Sequence, residues 1–132
     1  DFAETILELA GAPIPPEMQG RSLVPVLKGQ TPADWRKSFY YQYYEYPVPH
    51  RVRPHYGVVT ARHKLVRFYG TGADYWELFD LEKDPRELKS VHGLSEYESA
   101  QKGLETELAR LRNELQVPET DDPKAFGNRP VR

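Results

Sequence analysis

Apolar and polar residues change character along this chain, first with a helical spacing and then in aromatic-rich runs that read as strands. Between Asp1 and Ala10, Phe2, Ile6, Leu7 and Leu9 give a short helix one apolar side, with Asp1 placed to cap it and Gly11 to stop it. Ala12-Pro13-Ile14-Pro15-Pro16 cannot stay helical, because Pro removes an amide donor and fixes φ. Ser22 to Leu27 can add a turn or two before Gly29. Residues 1–37 thus carry apolar side chains with little of their own to bury them, as expected of a segment that leans on something else.

From Ser38 the pattern changes. Phe39 to Tyr46 is aromatic-rich and reads as a strand. Tyr56 to Ala61 and Lys64 to Tyr69 predict a hairpin around Arg62-His63. Residues 70–74 are a turn-rich connector, and Tyr75 to Leu81 is the next strand. Short connections favour an antiparallel meander, since parallel neighbours need long crossovers.

The longest helix comes late. Ser95 and Glu98 have capping-box spacing, and Tyr97, Ala100, Leu104, Leu108, Leu111 and Leu115 form one stripe ended by Val117-Pro118. The stripe could be a coiled-coil seam. It covers only about three heptads and a sheet is at hand, so packing across the sheet is favoured. The expected organisation is a linking segment over 1–37, an α+β domain over 38–118 and an extended, polar tail over 119–132.

Composition narrows the function classes. The 132 residues carry a formal net charge of −2, with Lys and Arg scattered rather than gathered into the one-sided footprint of a nucleic-acid binder. No apolar run is long enough to cross a bilayer. There is no Cys, which excludes disulfides, thiolate metal sites and a Cys nucleophile. The chain opens without Met on a helical pattern and reads as a piece of a longer protein.

One segment stands out chemically. Tyr43 to Tyr56 holds Tyr44, Glu45, His50, Arg51, Arg53 and His55, in a stretch stiffened by Pro47, Pro49 and Pro54. Aromatic faces beside Arg and His donors suit a sugar ring bearing an anionic group. The alternative is a surface loop whose aromatics only cover a sheet edge. His50, His55 and Glu45 match no recognised metal spacing. Asp80, Glu82 and Asp84 lack the Gly and closing Glu of an EF-hand, and Asp84-Pro85 reads instead as a helix start. Gly70-Thr71-Gly72 is too short for a phosphate loop, and no Ser sits in a nucleophile elbow.

Three stretches in order carry a resemblance. Asp1 to Gly11 followed by Met18-Gln19-Gly20-Arg21-Ser22-Leu23 resembles the interdomain segment of type I sulfatases, members of the alkaline-phosphatase-like superfamily. Tyr56-Gly57-Val58-Val59-Thr60 with Lys64-Leu65 is similar to that family's hairpin, and Glu77 to Leu88 to its "E-L-[FY]-D-L-x-x-D-P-x-E" stretch. Glu4, Val59 and Ser90 stand where Pro, Arg and Asn are usual. The resemblance implies the small C-terminal domain: a four-stranded antiparallel sheet with a long C-terminal helix packed on it, preceded by an interdomain helix and linker. It implies sulfate-ester hydrolysis by the whole enzyme, closest to bacterial arylsulfatase and N-acetylglucosamine-6-sulfatase-like groups, in a periplasmic or extracellular setting.

It also implies calcium and a formylglycine in a separate N-terminal catalytic domain. The formylglycine motif C/S-x-P-x-R is not here, for Ser22 comes closest with Pro25 one place too far. No catalytic residue is therefore expected in this chain. His50, His55, Glu45, Tyr44 and Arg53 are the expected substrate-binding residues, the sulfated sugar and the chain's own catalytic domain the expected partners. A related phosphodiesterase or phosphonate hydrolase, and a free-standing glycan-binding module, are the rival readings.

Overall fold

The computed structural model describes residues 1–46, 52–70, 72 and 74–118. They form two compact units, Asp1–Arg36 and Lys37–Arg132.

In the first unit, α1 spans Phe2–Leu9 and α2 spans Val24–Leu27. Helix α1 is turned polar side inward. Glu4 and Thr5 are only 4% and 8% exposed, whereas Phe2, Ile6 and Leu9 are 80%, 65% and 70% exposed. Hydrogen bonds explain the inversion. Glu4 Oε1 accepts from the Gly20 amide at 3.0 Å, and Thr5 Oγ1 accepts from the Leu23 amide at 2.8 Å while donating to the Asp1 carbonyl at 2.6 Å. A short loop of Pro and Gly offers few apolar partners but many backbone donors, so the polar side wins the contact. Asp1 does not cap the helix through its side chain; its carboxylate accepts from the Arg21 amide and from Arg36.

The second unit holds a four-stranded antiparallel sheet in chain order, β1 Ser38–Tyr43, β2 His55–Thr60, β3 His63–Phe68 and β4 Tyr75–Asp80. One 3₁₀ turn, Ser95–Tyr97, leads into α3, Glu98–Glu114. Because strand side chains alternate, the sheet has two faces. Tyr56, Val58, Leu65, Tyr69 and Leu78 form the core with Tyr97, Leu104, Leu108 and Leu111 from the helix side. The α+β expectation of a meander with the C-terminal helix packed on it holds, and the helix stripe faces the sheet rather than a coiled-coil partner. At β1, Ser38 Oγ donates to Glu107, fixing the helix at a second point.

Two local expectations fail. Ser95 makes no capping hydrogen bond; the chain enters α3 through the 3₁₀ turn instead. Asp84-Pro85 starts no helix: Asp84 Oδ2 accepts from the Leu88 and Lys89 amides, closing a turn. The turn wins because Asp80 already gathers this segment. Its Oδ1 accepts from the Glu82 and Lys83 amides, and its Oδ2 accepts from Arg62 at 3.2 Å and from the Tyr97 hydroxyl at 3.1 Å. Asp80 is 2% exposed, so a buried carboxylate ties the β2–β3 turn, the loop after β4 and the entry to α3 together. Burial would raise its pKa, but the bonds from Arg62, the Lys83 amide and Tyr97 outweigh it and hold it down at about 2.

Candidate functional site

The register sets four residues side by side at one end of the sheet: Tyr43 opposite His55, His55 opposite Phe68, and Phe68 opposite Tyr75. All four are aromatic and lie on the face away from α3. The His55 ring stacks on Tyr43 at 5.6 Å, meets Tyr41 edge-on at 5.8 Å and lies 5.2 Å from Phe68. Phe68 in turn stacks on Tyr75 at 4.7 Å. The connections leaving this end are the 44–54 loop and the 70–74 connector, so the row sits where loops meet a rigid edge.

His55 is oriented as well as packed. Its Nδ1 lies 2.8 Å from the Arg53 carbonyl. A carbonyl only accepts, so Nδ1 carries the proton, and the neutral ring then presents Nε2 as an acceptor. Such a ring can take a hydrogen bond from a sugar hydroxyl while its neighbours offer faces to sugar C–H groups.

The next row, Tyr41–Gly57–Val66–Glu77, supports the first. A Cβ on Gly57 would stand 3.0 Å from Tyr41 Cε1 and 3.1 Å from its hydroxyl, so the missing side chain is what lets the Tyr41 ring lie flat on β2. Burial pushes the Tyr41 phenol well above its usual range, with Glu87 and Glu77 adding to the effect, and the group stays a neutral donor. The hydroxyls of Tyr41 and Tyr43 are both buried without a hydrogen-bond partner among the described residues. Lys64 lies 5.6 Å over the Tyr41 ring and pairs with Glu87, which holds a left-handed φ of 53°.

The residues singled out from sequence fall as follows. His55 stands in the aromatic row, and Arg53 stands beside it through its carbonyl, with its guanidinium close to Gly72. Tyr44 and Glu45 are exposed just past β1. His50 lies outside the described residues. Phe68 and Tyr75 join the site although the sequence reading treated them only as strand residues; pairing Tyr43 with His55 across a loop was the one signal that could have found them. Among the described residues no group of three His, Asp or Glu could hold a metal. Among the described residues, no helix is long and apolar enough to cross a membrane.

Residues 1–114 match the family described as N-sulphoglucosamine sulphohydrolase, C-terminal. Over 92% of its length the chain is 48% identical to an N-acetylglucosamine-6-O-sulfatase of Bacteroides thetaiotaomicron, covering 21% of that protein. BT4656, solved in complex with its substrate D-glucosamine-2-N,6-O-disulfate, is 44% identical with a TM-score of 0.87 over 92% of this chain and 25% of that one. A phosphonate monoester hydrolase of Silicibacter pomeroyi is 25% identical with a TM-score of 0.69, over 95% of this chain and 26% of its own. The chain therefore spans about a fifth to a quarter of the length of these relatives.

Proposed function

Because the chain belongs to the family of N-sulphoglucosamine sulphohydrolase C-terminal domains, we propose that it is the substrate-facing C-terminal domain of a sulfatase acting on sulfated sugars. The observation that carries the reading is the likeness, over nearly the whole chain, to a sugar 6-O-sulfatase. Calcium and the formylglycine nucleophile belong, on this reading, to a larger catalytic domain. This chain positions the sugar: His55 Nε2 accepts from a hydroxyl, the Tyr43–Phe68–Tyr75 row meets the ring, and Arg53, His50, Tyr44 and Glu45 contact its polar groups. Residues 1–37 dock on the catalytic domain through the outward stripe of Phe2, Ile6 and Leu9, because an apolar stripe of this kind is stabilised by being covered. The domain over 38–118 closes the pocket; the extended tail expected over 119–132 lies outside the described residues.

The test is sulfate release by the intact protein from 6-O-sulfated N-acetylglucosamine, beside cleavage of a phenyl phosphonate monoester. A kcat/KM for the sulfate ester at least a hundredfold above that for the phosphonate is expected. The reverse ratio would replace the sulfatase with a phosphonate hydrolase of the same fold.

A further inference from the structure

At the other end of the sheet from the aromatic row, a cleft of about 410 Å³ opens between the β2–β3 turn, the loop after β4 and the entry to α3. Arg62 and His63 come from the turn, Lys83 from the loop, and Glu96, Tyr97 and Ser99 from the helix entry. One buried anchor sets both long cations. Asp80 Oδ2 accepts from Arg62 at 3.2 Å and from the Tyr97 hydroxyl at 3.1 Å, and that hydroxyl accepts from Lys83 Nζ at 2.9 Å. Asp80 and Tyr97 are only 2% and 7% exposed, so Arg62 and Lys83 are held on rigid supports. His63 meets the Tyr97 ring edge-on at 6.3 Å.

The charges here are unequally matched. Arg62 pairs with Asp80 and, through Nε at 3.3 Å, with Glu82. Asp80 also takes the Glu82 and Lys83 amides, so its carboxylate is fully occupied. Lys83 differs: among the described residues its ammonium is bonded to a neutral phenol alone, and two of its three donors remain. The His63 imidazole and the Ser99 hydroxyl line the cleft without a hydrogen bond among the described residues. An ammonium and an imidazole beside a guanidinium suit one tetrahedral oxyanion. Glu96 and Ser99 can accept from sugar hydroxyls, and Glu96 disfavours a second anionic group close to the first. Because Tyr97 is buried, the cleft offers no open Phe, Tyr or Trp face on which a base could stack, which favours a sugar over a nucleotide. The volume falls within the roughly 300–1,000 Å³ of small-molecule sites and exceeds what one oxyanion fills.

We infer that this cleft binds a sulfated sugar unit of an extended glycan, its sulfate held by Lys83, His63 and Arg62 and its hydroxyls met by Glu96 and Ser99. The choice of a sulfated sugar rests on the sulfatase reading above, whereas the anion-binding character of the cleft does not. Strand β2 is six residues long, which puts the cleft roughly 20 Å from His55, farther than one sugar unit reaches. A polymeric glycan is therefore held at two points, and the second grip raises its occupancy without touching the bond that is cleaved. Binding weakens with salt as the charges are screened.

The experiment is lysine acetylation of the intact protein, read peptide by peptide by mass spectrometry, with a sulfated hexosamine oligosaccharide as the probe. Once the probe is in excess over its Kd, acetylation of exposed Lys83 is expected to slow about fivefold or more, while that of exposed Lys89 stays the same. The desulfated oligosaccharide, a sulfate-free uronic acid oligosaccharide and inorganic sulfate at equal concentration should each leave Lys83 unprotected. In Lys83→Gln, which can still donate to Tyr97, the Kd for the probe should rise about fivefold or more, with kcat/KM for a sulfated monosaccharide unchanged. Equal acetylation of Lys83 with and without the probe would overturn the assignment. So would equal protection by any of the three controls, an unchanged Kd in Lys83→Gln, or a matching loss of monosaccharide turnover. Protection of Lys83 in a protein that releases no sulfate would sink the sulfatase reading and leave the cleft standing; sulfate release without protection would do the opposite.

Discussion

Replacing Gly57 by Ala puts the packing of the aromatic face to a sharp test. The added Cβ would stand 2.2 Å from the Leu65 carbonyl oxygen, against the 3.4 Å at which ordinary contact begins. Strands β2 and β3 must therefore part by roughly 1 Å, since a backbone carbonyl cannot swing aside as a long side chain can. Gly57 pairs with Val66, so one or two ladder hydrogen bonds stretch, at about 1 kcal/mol each. Displacing the Tyr41 ring adds overpacking of about 1–3 kcal/mol. The sum, about 3 kcal/mol, is a large share of the roughly 5–15 kcal/mol that holds a domain together. With a slope of about 1.5 kcal/mol per molar, the urea midpoint of the chain should fall by about 2 M with the slope unchanged. Gly103 supplies the opposite sign: it sits in exposed α3 with nothing within 4 Å of its would-be Cβ. Gly103→Ala should stabilise by about 0.5–1 kcal/mol through helix propensity alone. A Gly57→Ala midpoint within about 0.3 M of the parent would refute the close packing described for β2 and β3.

Other outcomes follow from the same structure. Leu108→Ala, in the core beneath the sheet, should cost about 2–5 kcal/mol in the same unfolding assay, while exposed Leu88→Ala should stay within about 0.5 kcal/mol. Acid should destabilise the fold through Asp80 and Glu107. Glu107 is held down at about 2 by the bond from Arg110, with burial opposing and Ser38 assisting, and Asp80 is held down likewise. Both folded values lie below the ordinary carboxylate range, so the unfolded chain binds more protons. Their stabilisation is complete above the unfolded pKa and is lost as pH falls toward about 2. Thermal scans from pH 6 to pH 2.5 should show Tm dropping, with a shallower drop in Asp80→Asn; an identical drop would remove Asp80 from the account. Ile6→Ser should leave the unfolding of the isolated chain almost unchanged, because the side chain is exposed, yet lower the Tm of the intact protein by several degrees if α1 docks on a catalytic domain.

Much of this architecture is legible in the residues because local and global signals agree. Aromatic-rich and β-branched runs between turn signals mark the strands, and the three- and four-residue spacing of Leu104, Leu108 and Leu111 finds the sheet. What escapes the sequence is decided by contacts distant along the chain. Ser95 and Asp84 look like helix caps, but Asp80 draws its turn into another geometry through Arg62 and Tyr97. Helix α1 has a plain amphipathic pattern, and the direction it faces depends on Gly20 and Leu23 amides that no periodicity reports. At the site, Tyr44, Glu45, Arg53 and His55 are conspicuous as a cluster, whereas Phe68 and Tyr75 become neighbours of His55 only once the register is known.

The central claim, that this domain supplies contacts to a sulfated sugar through its aromatic sheet end, meets its most direct test in one steady-state measurement. The kcat/KM of the intact protein for sulfate release from 6-O-sulfated N-acetylglucosamine should be compared with that of His55→Ala, with His55→Gln as the variant that can still accept a hydrogen bond. A loss of tenfold or more in His55→Ala, expressed mainly in KM and partly restored in His55→Gln, is the predicted result. Unchanged turnover and KM in His55→Ala would contradict the claim and leave the row as a structural edge alone.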